Sequence, residues 1–547
     1  MSATIETAFG CALPPAQRHA ITFHLPGWAN MMRFVQRDQT LMKEFQSVYP
    51  RVFLNTDVKN LATAICKHAE APEGQTCFVF TSPVSAAEFK EFAIDTRRGE
   101  NVLSPEDISI RIFDVHVRLY AAFFPAMKTP AVVSFWQCSG AGVTSRIAEE
   151  CLDRIDQLHE ITDDSPPPKV EASPAQAQIR DRIAGLLERA PVGPPRKAKV
   201  APNDVYLFQN GMASIYGVHR YLLKKHNGGS VLFGYAFHST VHVFEDFGPD
   251  FKLLGLGTDE EADELERYLE SELKEGRKVQ AIWTEFPANP LIITPNLGRL
   301  RKLADKYECL LVVDDTVGSF CNVDVLGVAD ILISSLTKSF SGYADVMGAS
   351  AVLNPSGSRY AELRSMFQEF YRNDFCNPDA IVLEHNSRDY LARSKILNNN
   401  ALRLAEYLQA KAADPNSTVT KVYYTTTSIS LPHYKERMRP VTEDFTPGYG
   451  CLLSFEFETL EAMAAFYDNV NVHIGPHLGA HLTLVLPYVL GLYGQELESV
   501  APYDLRPAQF RVAPGLEDTE KLIKDFEVGI AAADATRGQP TFPVTVT

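Results

Sequence analysis

The sequence predicts an α/β protein, with a mostly parallel sheet domain, a smaller α+β subdomain after it and an N-terminal α/β extension before it. Three features predict this. From about residue 204, short apolar runs alternate with helical stretches. Two proline-rich stretches set the first 160 residues apart. Beyond about residue 390 the pattern changes to a long helix, a separate strand and a terminal helix with an acidic start.

DVYLFQ (204–209), SVLFGY (230–235), KVQAIWTE (278–285), CLLVVDDT (309–316) and ADILISS (329–335) read as strands. Their near-continuous apolar character suits strands covered by helices on both faces, as in a parallel sheet. DEEADELERYLESELKEG (259–276) and LGRLRKLADKYE (297–308) have helical spacing and supply the crossovers. Such sheets bind ligands at the carboxyl ends of their strands. Later, residues 395–412 read as helix, GYGCLLSFEFE (448–458) as strand and LEDTEKLIKDFEVGIAAA (516–533) as helix.

Neither Asp163-Asp164-Ser165-Pro166-Pro167-Pro168 nor Pro191-Val192-Gly193-Pro194-Pro195-Arg196-Lys197 can continue a helix. Between them IRDRIAGLLERA (179–190) reads as one amphipathic helix. The expected organisation is an N-terminal domain over 1–160, a helix-bearing linker over 161–203, a large domain over 204–390 and a small domain over 391–547.

A chain of 547 residues can bury more than one core. Its formal net charge of -16 argues against nucleic acid or an anionic membrane as partner, while leaving room for a local basic pocket. No stretch reaches the ~18 apolar residues needed to span a bilayer. The start, MSATIETAFGCALPP, does not read as a signal peptide. Nine scattered cysteines without metal spacing suit reduced thiols, so a cytoplasmic location is expected.

The densest chemistry lies in SLTKSFSGYADVMGAS (335–350), where Lys338 directly follows a buried strand and is flanked by Ser335 and Thr337. Burial disfavours the charged ammonium and so favours a Schiff base. These hydroxyls, three residues and one residue away, could bond a phosphate on the same ligand. A lone strand-end lysine is more often simply exposed. Upstream, LLVVDDT (310–316) ends in Asp314, a carboxylate inside an apolar run that needs a cationic partner. A protonated pyridine nitrogen is one such partner; a helix cap or structural ion pair is another.

Taken together, Asp-x-Thr at 314–316, Ser-x-Thr-Lys at 335–338 and Gly-x-x-Asp-Val-x-Gly at 342–348 resemble the Cys/Met-metabolism family of pyridoxal 5'-phosphate (PLP) enzymes. TEFPANPL (284–291), QNGMASI (209–215) and FRVAPGLEDTEKLI (510–523) resemble further elements of that family, extending the likeness over 200–530. LPPAQRHAITFHLPGW (13–28), VYPRVF (48–53) and FWQCSGAGVTSRIAEECL (135–152) look like the extension of fungal cystathionine γ-synthases. The resemblance implies an aspartate-aminotransferase-like (fold type I) architecture with a seven-stranded sheet. It implies PLP on Lys338 as a Schiff base, with Asp314 at the pyridine nitrogen. Ser335, Thr337 and the backbone at Gly211 and Met212 would hold the phosphate, with Thr316 among the cofactor contacts. Asn289 would bond the 3-oxygen and the substrate side, Arg511 would clamp the substrate carboxylate, and Arg146 would reach a neighbouring subunit's phosphate. Homodimers or homotetramers with shared active sites are implied as well.

Two departures from the family stand out. Phe237, in GYAFHST (234–240), occupies the place of a ring-stacking tyrosine; it keeps the aromatic face but carries no proton. His477, in GPHLGAHLTLVLPY (475–488), replaces a serine that contacts the lysine, and is expected to reshape the pocket and to act as acid or base, with His481 as a second imidazole nearby. The leading functional expectation is γ-replacement on an O-acylated homoserine with cysteine as nucleophile. A paralogue of specialised metabolism using another nucleophile or β/γ-elimination, and a non-catalytic oligomer subunit, are the alternatives.

Overall fold

A computed structural model describes residues 5–50, 52–161, 166–169 and 173–538. Residues 163–165 of the first proline-rich stretch, residues 1–4 and Arg51 of VYPRVF lie outside the described residues. The N-terminal third has two parts. Strands β1 (Gln75–Phe80), β2 (Ser109–Asp114), β3 (Arg118–Pro125) and β4 (His159–Ile161) form an antiparallel sheet in the order β1-β3-β2-β4. Residues 5–50 do not join it. They run along the C-terminal subdomain, where Leu25 N donates to Ile474 O at 2.9 Å and Ile474 N to His24 Nδ1 at 3.1 Å.

The large domain carries β5 (Val205–Phe208), β6 (Gly229–Phe233), β7 (Phe251–Leu254), β8 (Val279–Glu285), β9 (Leu310–Asp314), β10 (Ile331–Ser335) and β11 (Ala349–Leu353) in one seven-stranded sheet, ordered β5-β11-β10-β9-β8-β6-β7. Pairings from β10 to β7 are parallel, and only β11 runs against both its neighbours. All seven residues of β8 are buried, as a two-sided apolar strand requires. The crossover helix Asp259–Lys274 starts on a Thr258 cap, with Asp259, Glu260 and Glu261 in its first turn where acidic groups favour the helix dipole. It turns Ala262, Leu265 and Leu269 inward.

The sequence reading found five of these seven strands. It passed over β7, whose first three residues are only half-buried, and β11, whose small residues give little strand signal. The predicted helix at 179–190 is Ala175–Glu188. Although its segment was expected as linker, Ile179, Ile183 and Leu187 share a core with Val205 and Leu207 of β5 and with Leu383.

The C-terminal subdomain adds β12 (Val419–Tyr423), β13 (Leu453–Phe457), β14 (His473–Ile474), β15 (Leu484–Leu486) and β16 (Gln509–Ala513), ordered β12-β13-β16-β15-β14. Helices Tyr390–Ala413 and Thr519–Asp534 flank it. Among the described residues no helix is long and apolar enough to cross a membrane.

The helix Ala175–Glu188 therefore works as part of the large-domain core. Ile183→Ala removes a fully buried side chain and is expected to cost about 2–5 kcal/mol. A lowered denaturation midpoint in urea checks this; an unchanged midpoint would show the helix to be a detachable tether.

Candidate active site

The carboxyl ends of β8, β9 and β10 open into a cavity of about 1160 Å³. Lys338 and Asp314 line it together, from the loop after β10 and the end of β9. Gly211, Met212, Ser335 and Thr337 stand on the same wall, and Phe237, Asn289, Thr316 and Arg511 line it as well.

The local folding of each group has a definite cause. The helix Gly211–His226 begins at Asn210, whose Oδ1 accepts from Ala213 N at 3.1 Å while its Nδ2 donates to Gly140 O at 2.8 Å. That helix terminus faces β10 closely: a Cβ on Gly211 would lie 3.3 Å from Ser335 Cβ and Oγ. Free helical N–H groups beside a serine hydroxyl form an anion cradle. Thr316 Oγ1 accepts from Ser335 N at 2.8 Å and ties β9 to β10. Thr337 Oγ1 donates to Gly348 O and accepts from Gly348 N, both at 3.1 Å.

Asp314 sits beside Glu285 in the parallel register of β9 and β8. Burial pushes the Asp314 carboxyl above its ordinary range, opposed by the bond its Oδ1 accepts from Thr316 N at 2.8 Å. Burial and the neighbouring Asp314 push Glu285 up to about 8. Glu285 accepts from Phe237 N at 2.7 Å and from Asn289 N at 2.9 Å, so one buried acid fixes two cavity-lining residues. Sequence reasoning quoted Glu285 within TEFPANPL without assigning it this role.

On the facing wall, Arg511 of β16 donates from Nη1 to Asn289 Oδ1 at 3.2 Å and from Nη2 to the carbonyl of Pro476. Its guanidinium lies 4.3 Å from the centre of the Tyr488 ring, and Asn289 Nδ2 donates to Tyr488 Oη at 3.0 Å. The remaining partner comes from the N-terminal segment: Lys338 Nζ donates to Tyr49 Oη at 3.0 Å. Tyr49 and Tyr488 were missed by sequence reasoning. VYPRVF contained the first, but no spacing rule connects positions 289 residues apart.

Two expected site residues do not line the cavity. For Arg146, expected at a neighbouring subunit's phosphate, its own chain shows Nη1 donating to Asp379 Oδ1 at 2.9 Å and Nη2 to Asp345 O at 2.9 Å, an ion pair that ties the helix Ser145–Leu152 to the large domain. His477 is only 1% exposed and lies behind the cavity wall rather than on it. Both its ring nitrogens are buried without a hydrogen-bond partner. Burial first, then the charges of Lys338 and Arg511, hold its basicity well below the usual imidazole range. Its ring fills space behind the wall. The adjoining turn presses on the lysine: a Cβ on Gly479, at φ +70, would fall 2.5 Å from Ser339 N. His481 bonds the carbonyl of Pro14 at 2.8 Å.

A lysine amine, a buried carboxylate of raised pKa and a helix-terminal anion cradle, converging on one cavity at the carboxyl edge of an α/β sheet, are the donor set that PLP requires. The fold and the cavity thus define a PLP-dependent enzyme. Residues 199–531 match the Cys/Met metabolism PLP-dependent enzyme family, and residues 57–144 match the N-terminal domain of fungal trans-sulfuration enzymes. The chain belongs to that Cys/Met metabolism family. It is similar to alanine racemase ungC of Aspergillus violaceofuscus, at 33% identity over 97% of this chain and 98% of the relative. It is also similar to the cystathionine γ-synthase of Neurospora crassa, at 30% identity over 97% and 99%. A crystal structure of cystathionine γ-lyase from Lactobacillus plantarum shares the fold, with a TM-score of 0.53 at 20% identity over 66% of this chain and 87% of the other.

The carboxyl ends of the strands carry one further buried acid. Burial pushes Asp315 up to about 7, although Ser334 Oγ donates to it. In the unfolded chain an aspartate ionises near ~3.9. Holding the proton up to about 7 in the fold makes stability fall as pH rises from ~4 to 7 and level off above. Urea midpoints of Asp315→Asn are therefore expected to fall less over that window than those of the wild type. Parallel profiles would rule the effect out.

Proposed function

We propose that this chain catalyses γ-replacement on an O-acylated homoserine with the thiol of cysteine as nucleophile. The observation that carries this reading is the Lys338–Tyr49 pair sharing one cavity with the Arg511–Asn289 pair. PLP, when bound, supplies the electron sink that weakens bonds at the substrate's α-carbon. Lys338 would hold it covalently and Asp314 would keep its ring nitrogen protonated. The helix terminus at Gly211 and Met212, with Ser335 and Thr337, would take its phosphate, and Thr316 would steady the strand ends beneath.

γ-Replacement needs a proton holder that serves two substrate carbons in succession. Lys338 Nζ can do this, and its 3.0 Å bond to Tyr49 Oη lets a proton pass between amine and phenol. Phe237 keeps an aromatic face on the cavity but holds no proton, so Tyr49 supplies the hydroxyl that position 237 lacks. The planar fork of Arg511 suits a substrate carboxylate, and its bonds to Asn289 and Pro476 hold that fork in place. A cavity of about 1160 Å³ has room for two amino-acid substrates. The likeness to the Neurospora crassa enzyme supports this choice of reaction.

A second reading is racemisation of a small amino acid, favoured by the relative named alanine racemase. It asks only for removal and return of the α-proton, which the same Lys338–Tyr49 pair can perform.

Purified protein is incubated with O-acetylhomoserine with and without cysteine, and separately with L-alanine. Cystathionine by mass is the expected product, lost in Lys338→Ala. D-Alanine without cystathionine would shift the assignment to racemisation, and neither product would overturn both readings. Tyr49→Phe is expected to lower kcat by about 10²-fold, in the range for one acid–base group, with the cofactor absorbance retained. An unchanged kcat would remove Tyr49 from the proton path.

A further inference from the structure

At the mouth of the same cavity lies a cluster that the proposed reaction does not use. His238 and His242 stand one turn apart on the helix His238–Phe247, a spacing that puts both rings on one face. Their Nε2 atoms face each other at 3.3 Å. From the other side comes Glu496, in the turn after helix Tyr488–Tyr493, with a carboxylate oxygen 3.7 Å from His238 Nε2. The ligating atoms of all three residues lie within 4.8 Å of one another.

We propose that His238, His242 and Glu496 bind a divalent cation of the zinc class, with a fourth, exchangeable position open to the active-site cavity. Two nitrogens each ~2.0–2.1 Å from a tetrahedral zinc ion stand about 3.4 Å apart, close to the 3.3 and 3.7 Å observed. Two neutral imidazoles can share only one proton between facing Nε2 atoms, and two protonated rings repel; a cation satisfies both lone pairs at once. The tautomer this needs is set up on His242, whose Nδ1 bonds Glu245 Oε2 at 2.8 Å and so leaves Nε2 as the lone-pair donor. A carboxylate behind a ligating histidine is the usual support of a metal site. The ring of His238 packs edge-on against Tyr493, with centroids 4.9 Å apart, which limits its rotation.

The three ligands line the cavity that Lys338 also lines. Two lie just after Phe237 in the large domain and the third lies beyond Tyr488 in the C-terminal subdomain, so a bound ion pins the two domains together across the cavity mouth. Three protein ligands with an open fourth position is the arrangement that leaves room for water or a substrate donor.

The test is cobalt uptake by tag-free holoenzyme after treatment with a chelator. One Co²⁺ per chain, with the visible bands of a four-coordinate site, is expected, and Zn²⁺ should displace it. The His238→Ala/His242→Ala double variant should lose the bands. Glu496→Gln, at a partly exposed position, should weaken uptake by about tenfold or more, with the cofactor absorbance showing that the fold is kept. The proposal is overturned if the wild type takes up no more Co²⁺ than the double variant, or if Glu496→Gln binds as tightly as the wild type. These readouts do not depend on which reaction the enzyme performs.

Discussion

A buried pair of acids at the carboxyl edge of the central sheet governs the arrangement of this protein. Asp314 and Glu285 end neighbouring parallel strands in register, inside the protein, and each raises the cost of ionising the other. Such a pair is tolerable only if protons or a cation compensate it. The backbone answers part of the demand, through the amides of Thr316, Phe237 and Asn289. A cofactor with a protonated ring nitrogen, of the kind the proposed function places here, would meet the rest. Electrostatics and positioning are thus joined: the acid that lies next to Asp314 also fixes the aromatic residue and the amide that line the cavity.

The site is assembled from three regions of the chain, each held by its own packing. Strand ends of the large domain give Asp314, Thr316 and Ser335. The C-terminal subdomain gives Arg511 from the middle strand of its sheet, where pairing with β13 and β15 fixes its direction. The N-terminal segment gives Tyr49, and reaches the site because Phe23 and Leu25 are buried in the core shared with that subdomain. The helix Thr129–Ser139 of the N-terminal domain also lines the cavity, and just after it Gly140 lies so close to the start of helix Gly211–His226 that a Cβ would fall 2.4 Å from Ala213 N. Only glycine permits that approach at φ +66.

Legibility in the sequence followed the range of the interactions. Local signals worked: apolar runs located five large-domain strands, and helical spacing over 259–276 located helix Asp259–Lys274. The order of motifs pointed to Lys338, Asp314, Gly211, Asn289 and Arg511, and the fold brings all five to one cavity. Contacts between distant positions were not legible. Arg146 was placed by a few neighbouring residues, and its partner within its own chain, Asp379, lies more than two hundred positions away. Tyr49 was invisible for the same reason. For His477 the chemistry of imidazole suggested titration near neutrality, but burial, with the charges of Lys338 and Arg511 nearby, holds its basicity well below the usual range.

The two departures from the family pattern then acquire a common meaning. His477 adds a ring of lowered basicity behind the cavity wall, and Phe237 keeps an aromatic surface in the cavity but carries no hydroxyl. Neither side chain hydrogen-bonds the amine of Lys338 among the described residues. The phenol of Tyr49, 3.0 Å from that amine, is the group left in direct contact with it. The hydrogen-bond partner of this amine therefore comes from outside the large domain. How well the N-terminal segment is seated against the C-terminal subdomain then sets where that phenol stands against a lysine that neither of them contains.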